Sequence, residues 1–252
     1  MIIEPNISIP KTVDLIREKI KNKTPFALTR FGDGEIKMIK KEKWNNEAYQ
    51  RICNLWHYDY PSEVGQAWSD ISNLLLNALF NSDVVGFLDR NTPYLPSGIY
   101  DSDRWSISNS FLEEKGIDPN SFLVCDHQIS RSKELGNLHS FKNILCGNDL
   151  HIISPNKSSL LKKKLSSILE CNVEITLHEN SKKLVNRHDH FRKFDKIKEN
   201  VVVFGTALEK DYGIYLRDYF GKIAIDLGST LDAWGGLITR EWFNNIQKHL
   251  VL

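Results

Sequence analysis

Short apolar runs alternate along this chain with longer stretches in which apolar positions recur every three to four residues. The short runs predict strands over 26–28, 84–88, 122–125, 150–153, 173–176, 201–204 and 223–226. Near-continuous apolar strands are the mark of a sheet buried on both faces, which in practice means a parallel one. Helical spacing predicts helices over 12–21, 46–56, 62–81, 105–115, 130–138, 157–169 and 208–220, with a further start at 35–40 and a short helix between 180 and 200. The pattern is clearest in 62–81, where Val64, Ala67, Trp68, Ile71, Leu74, Leu75 and Ala78 share one side. Alternation of this kind predicts an α/β fold: a Rossmann-like, mostly parallel sheet with helices on both faces. No repeat, low-complexity tract or linker divides the chain, so residues 1–252 are expected to form a single domain.

Charge changes the picture mainly by exclusion. The formal net charge is +1, with 26% charged and 41% hydrophobic residues, an ordinary globular balance that argues against a nucleic-acid partner. The basic runs at 37–43 and 162–164 alternate with apolar positions and read as solvated helix faces. Cys53, Cys125, Cys146 and Cys171 are widely spaced, which fits neither a zinc site nor a disulfide framework. The first residues lack a basic segment followed by a long apolar stretch, and no run reaches the ~20 residues of a membrane span. A cytoplasmic protein with no transmembrane segment is the expectation.

Ligands of open α/β sheets bind beyond the carboxyl ends of the strands, so polar residues just after the strands are the candidates. The first strand runs into Arg30-Phe31-Gly32-Asp33-Gly34-Glu35. Gly32 and Gly34 let a ligand approach the main chain, and Arg30 supplies a fork suited to phosphate. Asp33 and Glu35, two apart in an extended or turn segment, are hard oxygen ligands suited to a divalent cation that holds a diphosphate. A tight turn with solvated acids at a helix start is the plainer reading. Gly205 and Thr206 follow one strand in a turn that lacks the full G-x-G-x-x-G, with Ala207 and Lys210 where glycines would fall. Asp226, Gly228 and Ser229 follow another, and Asp126-His127, a candidate acid/base pair or simply hydrogen-bonded structural residues, a third. His188 and His190 flank Asp189 in a polar stretch and read as solvated or phosphate-facing. The turn-rich segment 89–103, with Tyr94, Tyr100 and nearby Trp105, is a candidate acceptor side or a structural aromatic cluster.

Arg30-Phe31-Gly32-Asp33-Gly34-Glu35 resembles the R-x-G-D-G-E signature of the GT-D-fold glycosyltransferases. Cys125-Asp126 and the stretch 138–154 are similar to the middle of that family. Ile223-Ala224-Ile225-Asp226-Leu227-Gly228-Ser229, followed by Leu231-Asp232-Ala233-Trp234-Gly235-Gly236, looks like its I-A-x-D-x-G-S…D-A-W-x-G ending. The pieces keep the family's order over a core of about 25–240. The turn at Gly205-Thr206-Ala207 departs from it, relatives being richer in glycine there.

The resemblance implies a GT-D-type fold and transfer of a sugar from a nucleotide-diphosphate sugar to a glycan, lipid-linked or protein-linked saccharide. It implies Mn²⁺ or Mg²⁺ at Asp33 and Glu35, with Arg30, Gly32, Gly34, Gly205, Thr206, Asp226 and Ser229 around the nucleotide. Asp232, then Asp126 and His127, are the expected candidates for the base that takes the acceptor proton. A homodimer or assembly with other transferases is compatible with this reading. Two other classes stay open: a Rossmann enzyme using NAD or S-adenosylmethionine, and a non-catalytic nucleotide-sugar-binding module.

Overall fold

A computed structural model describes residues 7–40, 46–87, 123–126, 142–155, 159–178, 187–206, 208–228 and 230–234 of the chain. In chain order the elements are α1 (Ile9–Asn22), β1 (Phe26–Arg30), α2 (Asp33–Lys40), α3 (Asn46–Trp56), α4 (Val64–Asn81), β2 (Val84–Phe87) and β3 (Leu123–Asp126). There follow β4 (Leu150–Ser154), α5 (Ser159–Leu169), β5 (Val173–Leu177), α6 (Arg187–Phe191) with a 3₁₀ turn at Arg192–Phe194, β6 (Val201–Phe204), α7 (Asp211–Phe220), β7 (Ile223–Asp226) and α8 (Thr230–Trp234). The helices predicted at 105–115 and 130–138, and the segment 89–103, lie outside the described residues.

The seven strands form one sheet in the order β3-β2-β1-β7-β6-β4-β5. Every pairing is parallel. The α/β architecture expected from the strand pattern is therefore the observed one. Period-2 alternation sends successive side chains to opposite faces. Phe26, Leu28, Val201, Val203, Ile223 and Ile225 join one core, covered by α1, α5 and α8 through residues such as Val13, Ile16, Leu161, Leu165 and Trp234. Ala27 and Val85 face the other way, into a core built with α2, α3 and α4. Val202, Phe204 and Ala224 meet Tyr212 and Leu216 of α7, with Phe191 and Phe194, on that second face.

Helix ends follow local chemistry. Ser8 caps α1 by accepting from Lys11 N–H, and Lys23 closes it in the left-handed conformation at φ 52°. α7 stops at Gly221, φ 62°, whose N–H returns to the carbonyls of Arg217 and Leu216. Two of the starts that differ from the pattern bear on the site. α2 begins at Asp33 rather than Glu35, so the pair stands in the first turn of a helix rather than in a free turn. α7 begins at Asp211 rather than 208, because the three residues before it form a turn of their own, with Lys210 N–H on the carbonyl of Leu208. Among the described residues no helix is long and apolar enough to cross a membrane.

Candidate active site

Strands one to three and strands four to seven form the two halves of the sheet, which meet between β1 and β7. Crevices at the carboxyl ends of strands near such a junction are where open α/β sheets take ligands. Here the residues that follow β1, β7 and β6 lie side by side, and the centre of the arrangement is Asp226. Its side chain is fully buried. The backbone N–H of Arg30 donates to Oδ2 at 3.0 Å and that of Gly228 to Oδ1 at 2.9 Å. Lys210 Nζ donates to the same Oδ2 at 2.8 Å. One carboxylate thus ties together the ends of β1 and β7 and the turn after β6.

Lys210 reaches further. Its Nζ stands 3.3 Å from Glu35 Oε1, and the other oxygen of Glu35 accepts the N–H of Gly32 at 3.0 Å. The second contact is one half of a capping arrangement, a carboxylate in the first turn reaching back to an N–H before the helix. Arg30 is also buried, and burial lowers its guanidinium from its ordinary value while Asp226 and then Glu35 oppose the fall. The Arg30 side chain lies over the β7 turn: a Cβ at Gly228 would stand 2.3 Å from Nη2. Gly228 also holds φ at 49°, so only glycine meets both demands. A Cβ at Gly205 would meet the carbonyl oxygen of Gly228 at 2.8 Å, so the two turns pack backbone to backbone.

The expected site residues therefore fall into three groups. Arg30, Gly32, Glu35, Gly205, Thr206 and Asp226 are brought to this one edge. Thr206 is buried and spends its hydroxyl on the carbonyl of Glu209 at 2.8 Å, shaping the turn. Asp33 and Gly34 open α2, Asp126 closes β3 and Asp232 lies in α8. His127 and Ser229 lie outside the described residues.

The pattern did not reveal Lys210, nor the cluster behind it. Glu209, Lys210 and Asp211 are consecutive charged residues, and all three are buried. Arg187 of α6 donates to Glu209 Oε1 at 2.9 Å and forms a two-point pair with Asp211 through Nε at 2.8 Å and Nη2 at 2.5 Å. Beyond Glu209 stand His178 Nδ1 at 3.3 Å and His190 Nε2 at 3.9 Å, both bonded to the Tyr212 hydroxyl at 2.9 and 2.7 Å. Burial works against the Glu209 carboxylate, but Arg187, His178 and His190 together hold it below its usual range. Burial pushes Asp211 up to about 6, and pushes His190 down to about 4. His190 is thus part of this interior, correcting the solvated reading of its sequence neighbourhood; His188 is exposed and bonds Tyr215. A charged run at a helix start is ordinary in sequence, so no local signal marked this one as buried.

A magnesium- or manganese-type ion needs hard oxygen ligands, and such ions are commonly held by one or two carboxylates plus substrate phosphates. Glu35 meets that description at the crevice. Among the described residues no three His, Cys, Asp or Glu side chains gather as a closed metal cage. Among the described side chains of the crevice, the charges of Arg30, Lys210, Asp226 and Glu35 sum to zero, so a bound diphosphate would call for a further cation. The donor set thus fits an ion shared with substrate.

Residues 7–234 match the family described as a GT-D fold-like domain. No curated protein sequence matches the chain. Among solved structures, a glycosyltransferase (DUF1792) from Streptococcus sanguinis superposes with a TM-score of 0.60 at 17% identity, over 95% of this chain and 84% of that one. A structure of domain of unknown function 1792 gives 0.58 at 17% identity, over 88% and 77% of the two chains. Another, described as having a distinct glycosyltransferase fold, gives 0.53 at 14% identity with the same coverage. At these identities the likeness speaks for the fold. Matched from Ile7 to Trp234, the chain belongs to the GT-D-like family.

Proposed function

We propose that the chain is a glycosyltransferase that moves a sugar from a nucleotide-diphosphate sugar to a saccharide acceptor. The observation that carries this reading is the pair of buried cations, Arg30 and Lys210, at the carboxyl ends of β1, β7 and β6, where Asp226 accepts from the Lys210 ammonium and from the Arg30 backbone N–H. In such a transfer the bond between the anomeric carbon and the β-phosphate oxygen breaks, and the acceptor oxygen takes its place. Negative charge grows on the departing diphosphate. Cations already held in place stabilise that charge without reorganising, which is worth the most in a site shielded from water. Arg30 offers a planar fork for phosphate oxygens and Lys210 a point charge.

Glu35, with Asp33, would hold Mn²⁺ or Mg²⁺, which when bound supplies Lewis-acid stabilisation at the diphosphate. Glu35 shares its Oε1 with Lys210, so an ion held there would compete with the lysine for that oxygen while Asp226 keeps the ammonium in place. The acceptor proton goes to a carboxylate or imidazole within reach, with Asp232 the first candidate and Asp126 and His127 the next. Gly32, Gly34, Gly205 and Ser229 would line the nucleotide.

An NAD- or S-adenosylmethionine-type reading would put Asp226 on ribose hydroxyls. Both oxygens of Asp226 already accept from Arg30, Gly228 and Lys210, which disfavours it. The test is a thermal-shift series with uridine, guanosine and thymidine diphosphates, with and without Mn²⁺, on wild type and Glu35→Ala. Ligands that bind the folded state raise the melting point. A manganese-dependent rise with one nucleotide, lost in Glu35→Ala, is the expected result. A rise with NAD or S-adenosylmethionine alone, indifferent to metal and to the substitution, would overturn the proposal.

A further inference from the structure

Helices that follow parallel strands run back across the sheet, so α4 and α7 descend side by side from the edge that carries the candidate active site. Between them runs a groove of about 660 Å³, within the range of ligand sites. Arg187 and Asp211 line its upper end, and they flank Glu209 and Lys210 of the site. The groove therefore reaches Asp211, the residue that directly follows Lys210.

Its two walls differ in chemistry. On α4, Gln66, Asp70, Asn73, Asn77 and Asn81 line the groove at spacings of four, three, four and four. That is one stripe of a helix, about 22 Å long at 1.5 Å per residue. Carboxamides each carry donors and an acceptor, the combination that neighbouring sugar hydroxyls require. Several are held in position beforehand: Gln66 donates to Asp70 at 2.6 Å, Tyr58 donates to the other oxygen of Asp70 at 2.6 Å, and Asn81 donates to Asn77 at 2.9 Å. Preset groups lose less freedom on binding.

The α7 wall is an aromatic ladder. Tyr215 stacks on Phe191 with ring centroids 4.0 Å apart, and Tyr219 stacks on Tyr215 at 4.2 Å. Tyr219 is 66% exposed, offering ring surface to the groove. Rigid rings suit the flat C–H faces of sugars, and their polar edges tolerate water. Charge decides against a phosphate polymer. The lining holds Asp70, Asp211 and Asp218 against Arg187, which is already paired with Glu209 and Asp211. A surface of that balance repels a phosphodiester backbone rather than gathering it.

We infer that the groove between α4 and α7 binds the saccharide acceptor, as an uncharged chain of several sugar rings lying between the amide row and the tyrosines. The inference rests on the transferase reading for the word acceptor, though not for saccharide binding itself.

The experiment is a saturation-transfer NMR titration of full-length protein with maltotetraose, cellotetraose, chitotetraose and mannotetraose. A heparin tetrasaccharide serves as the anionic comparator. Wild type, Asn77→Ala, Tyr219→Ala and Tyr219→Phe are compared, with circular dichroism melts to establish folding and the nucleotide thermal shift measured in parallel. At least one neutral tetrasaccharide should bind wild type, lose affinity by about tenfold in Asn77→Ala and Tyr219→Ala, and keep it in Tyr219→Phe. The nucleotide shift should be the same in all four. Folded variants that bind as well as wild type would overturn the inference. So would a panel that does not bind, or heparin binding more tightly than every neutral chain. Variant-sensitive saccharide binding without any nucleotide shift would keep the groove as a saccharide site and overturn the transferase reading.

Discussion

Lys210 Nζ lies 3.3 Å from Glu35 Oε1, so the carboxylate proposed for metal is bridged to the turn after β6 by a lysine that is itself buried. The same ammonium is 2.8 Å from Asp226. Lys210 is thus shared between two carboxylates, and it is the charge best placed to follow a diphosphate as the leaving group forms.

Lys210→Ala should therefore lower kcat by about 10²–10³-fold, the usual loss when one preset group that stabilises developing charge is removed. Single-turnover kinetics with the donor identified by thermal shift would measure it. A change of less than about tenfold would remove Lys210 from the proposed chemistry. In the same protein, Mn²⁺ titration followed by electron paramagnetic resonance, in the presence of nucleoside diphosphate, should show binding that Glu35→Ala abolishes.

Asp226 offers a stability test that is independent of turnover. It is fully buried and accepts from two backbone N–H groups and Lys210. Asp226→Ala strands two N–H donors and leaves the buried ammonium only its longer contact with Glu35, and breaking a buried pair in this way costs about 3–5 kcal/mol. Urea unfolding of wild type and variant at neutral pH would show the difference. A loss below about 1 kcal/mol, the scale of a surface pair, would mean that water replaces the carboxylate.

Gly228 and Gly147 form a matched pair of glycines. Both have positive φ, 49° and 75° respectively. A Cβ at Gly147 meets open space, whereas one at Gly228 would stand 2.3 Å from Arg30 Nη2. Gly147→Ala should cost only the left-handed penalty of roughly 1–2 kcal/mol. Gly228→Ala should cost more and also displace Arg30, so that the nucleotide-induced rise in Tm disappears as well. Differential scanning calorimetry with and without ligand separates the two effects.

The cluster behind Lys210 predicts an unusual pH response. Burial holds His190 down at about 4, from an ordinary 6.5, and holds Asp211 up at about 6, from 3.8. A histidine with a depressed folded value stabilises fully above pH 6.5, and that contribution is lost as pH falls toward 4. A carboxylate with a raised folded value does the reverse: its contribution is full below 3.8 and is lost as pH rises toward 6. The two slopes oppose each other between about 4 and 6, so the wild-type urea midpoint should change little there from these groups. His190→Gln should then become less stable as pH rises through that window, and Asp211→Asn less stable as it falls. Identical profiles for all three proteins would show that neither group titrates as described.

The candidate site was legible in unequal parts. Arg30, Glu35, Gly205 and Asp226 could be picked out because each follows an apolar run, and in a parallel sheet residues after strands share one edge. Lys210 and Arg187 could not. In a linear pattern Glu209-Lys210-Asp211 is indistinguishable from the solvated first turn of a helix, where acidic residues are favoured for ordinary reasons. Its burial depends on Arg187 and His178 arriving from elsewhere in the chain to neutralise and bond it.

What the chain determined by itself was the inventory of strands and helices and the class of sheet. Val201-Val202-Val203-Phe204 and Ile223-Ala224-Ile225 can escape water only if both faces of each strand are covered, and that need is written in consecutive residues. Only the tertiary structure decided the order β3-β2-β1-β7-β6-β4-β5 and the pairing of Asp226 with Arg30 and Lys210. The physical reason is the range of the forces: hydrophobic periodicity is local to a segment, whereas a buried charge is tolerated only where a partner distant in sequence meets it in space.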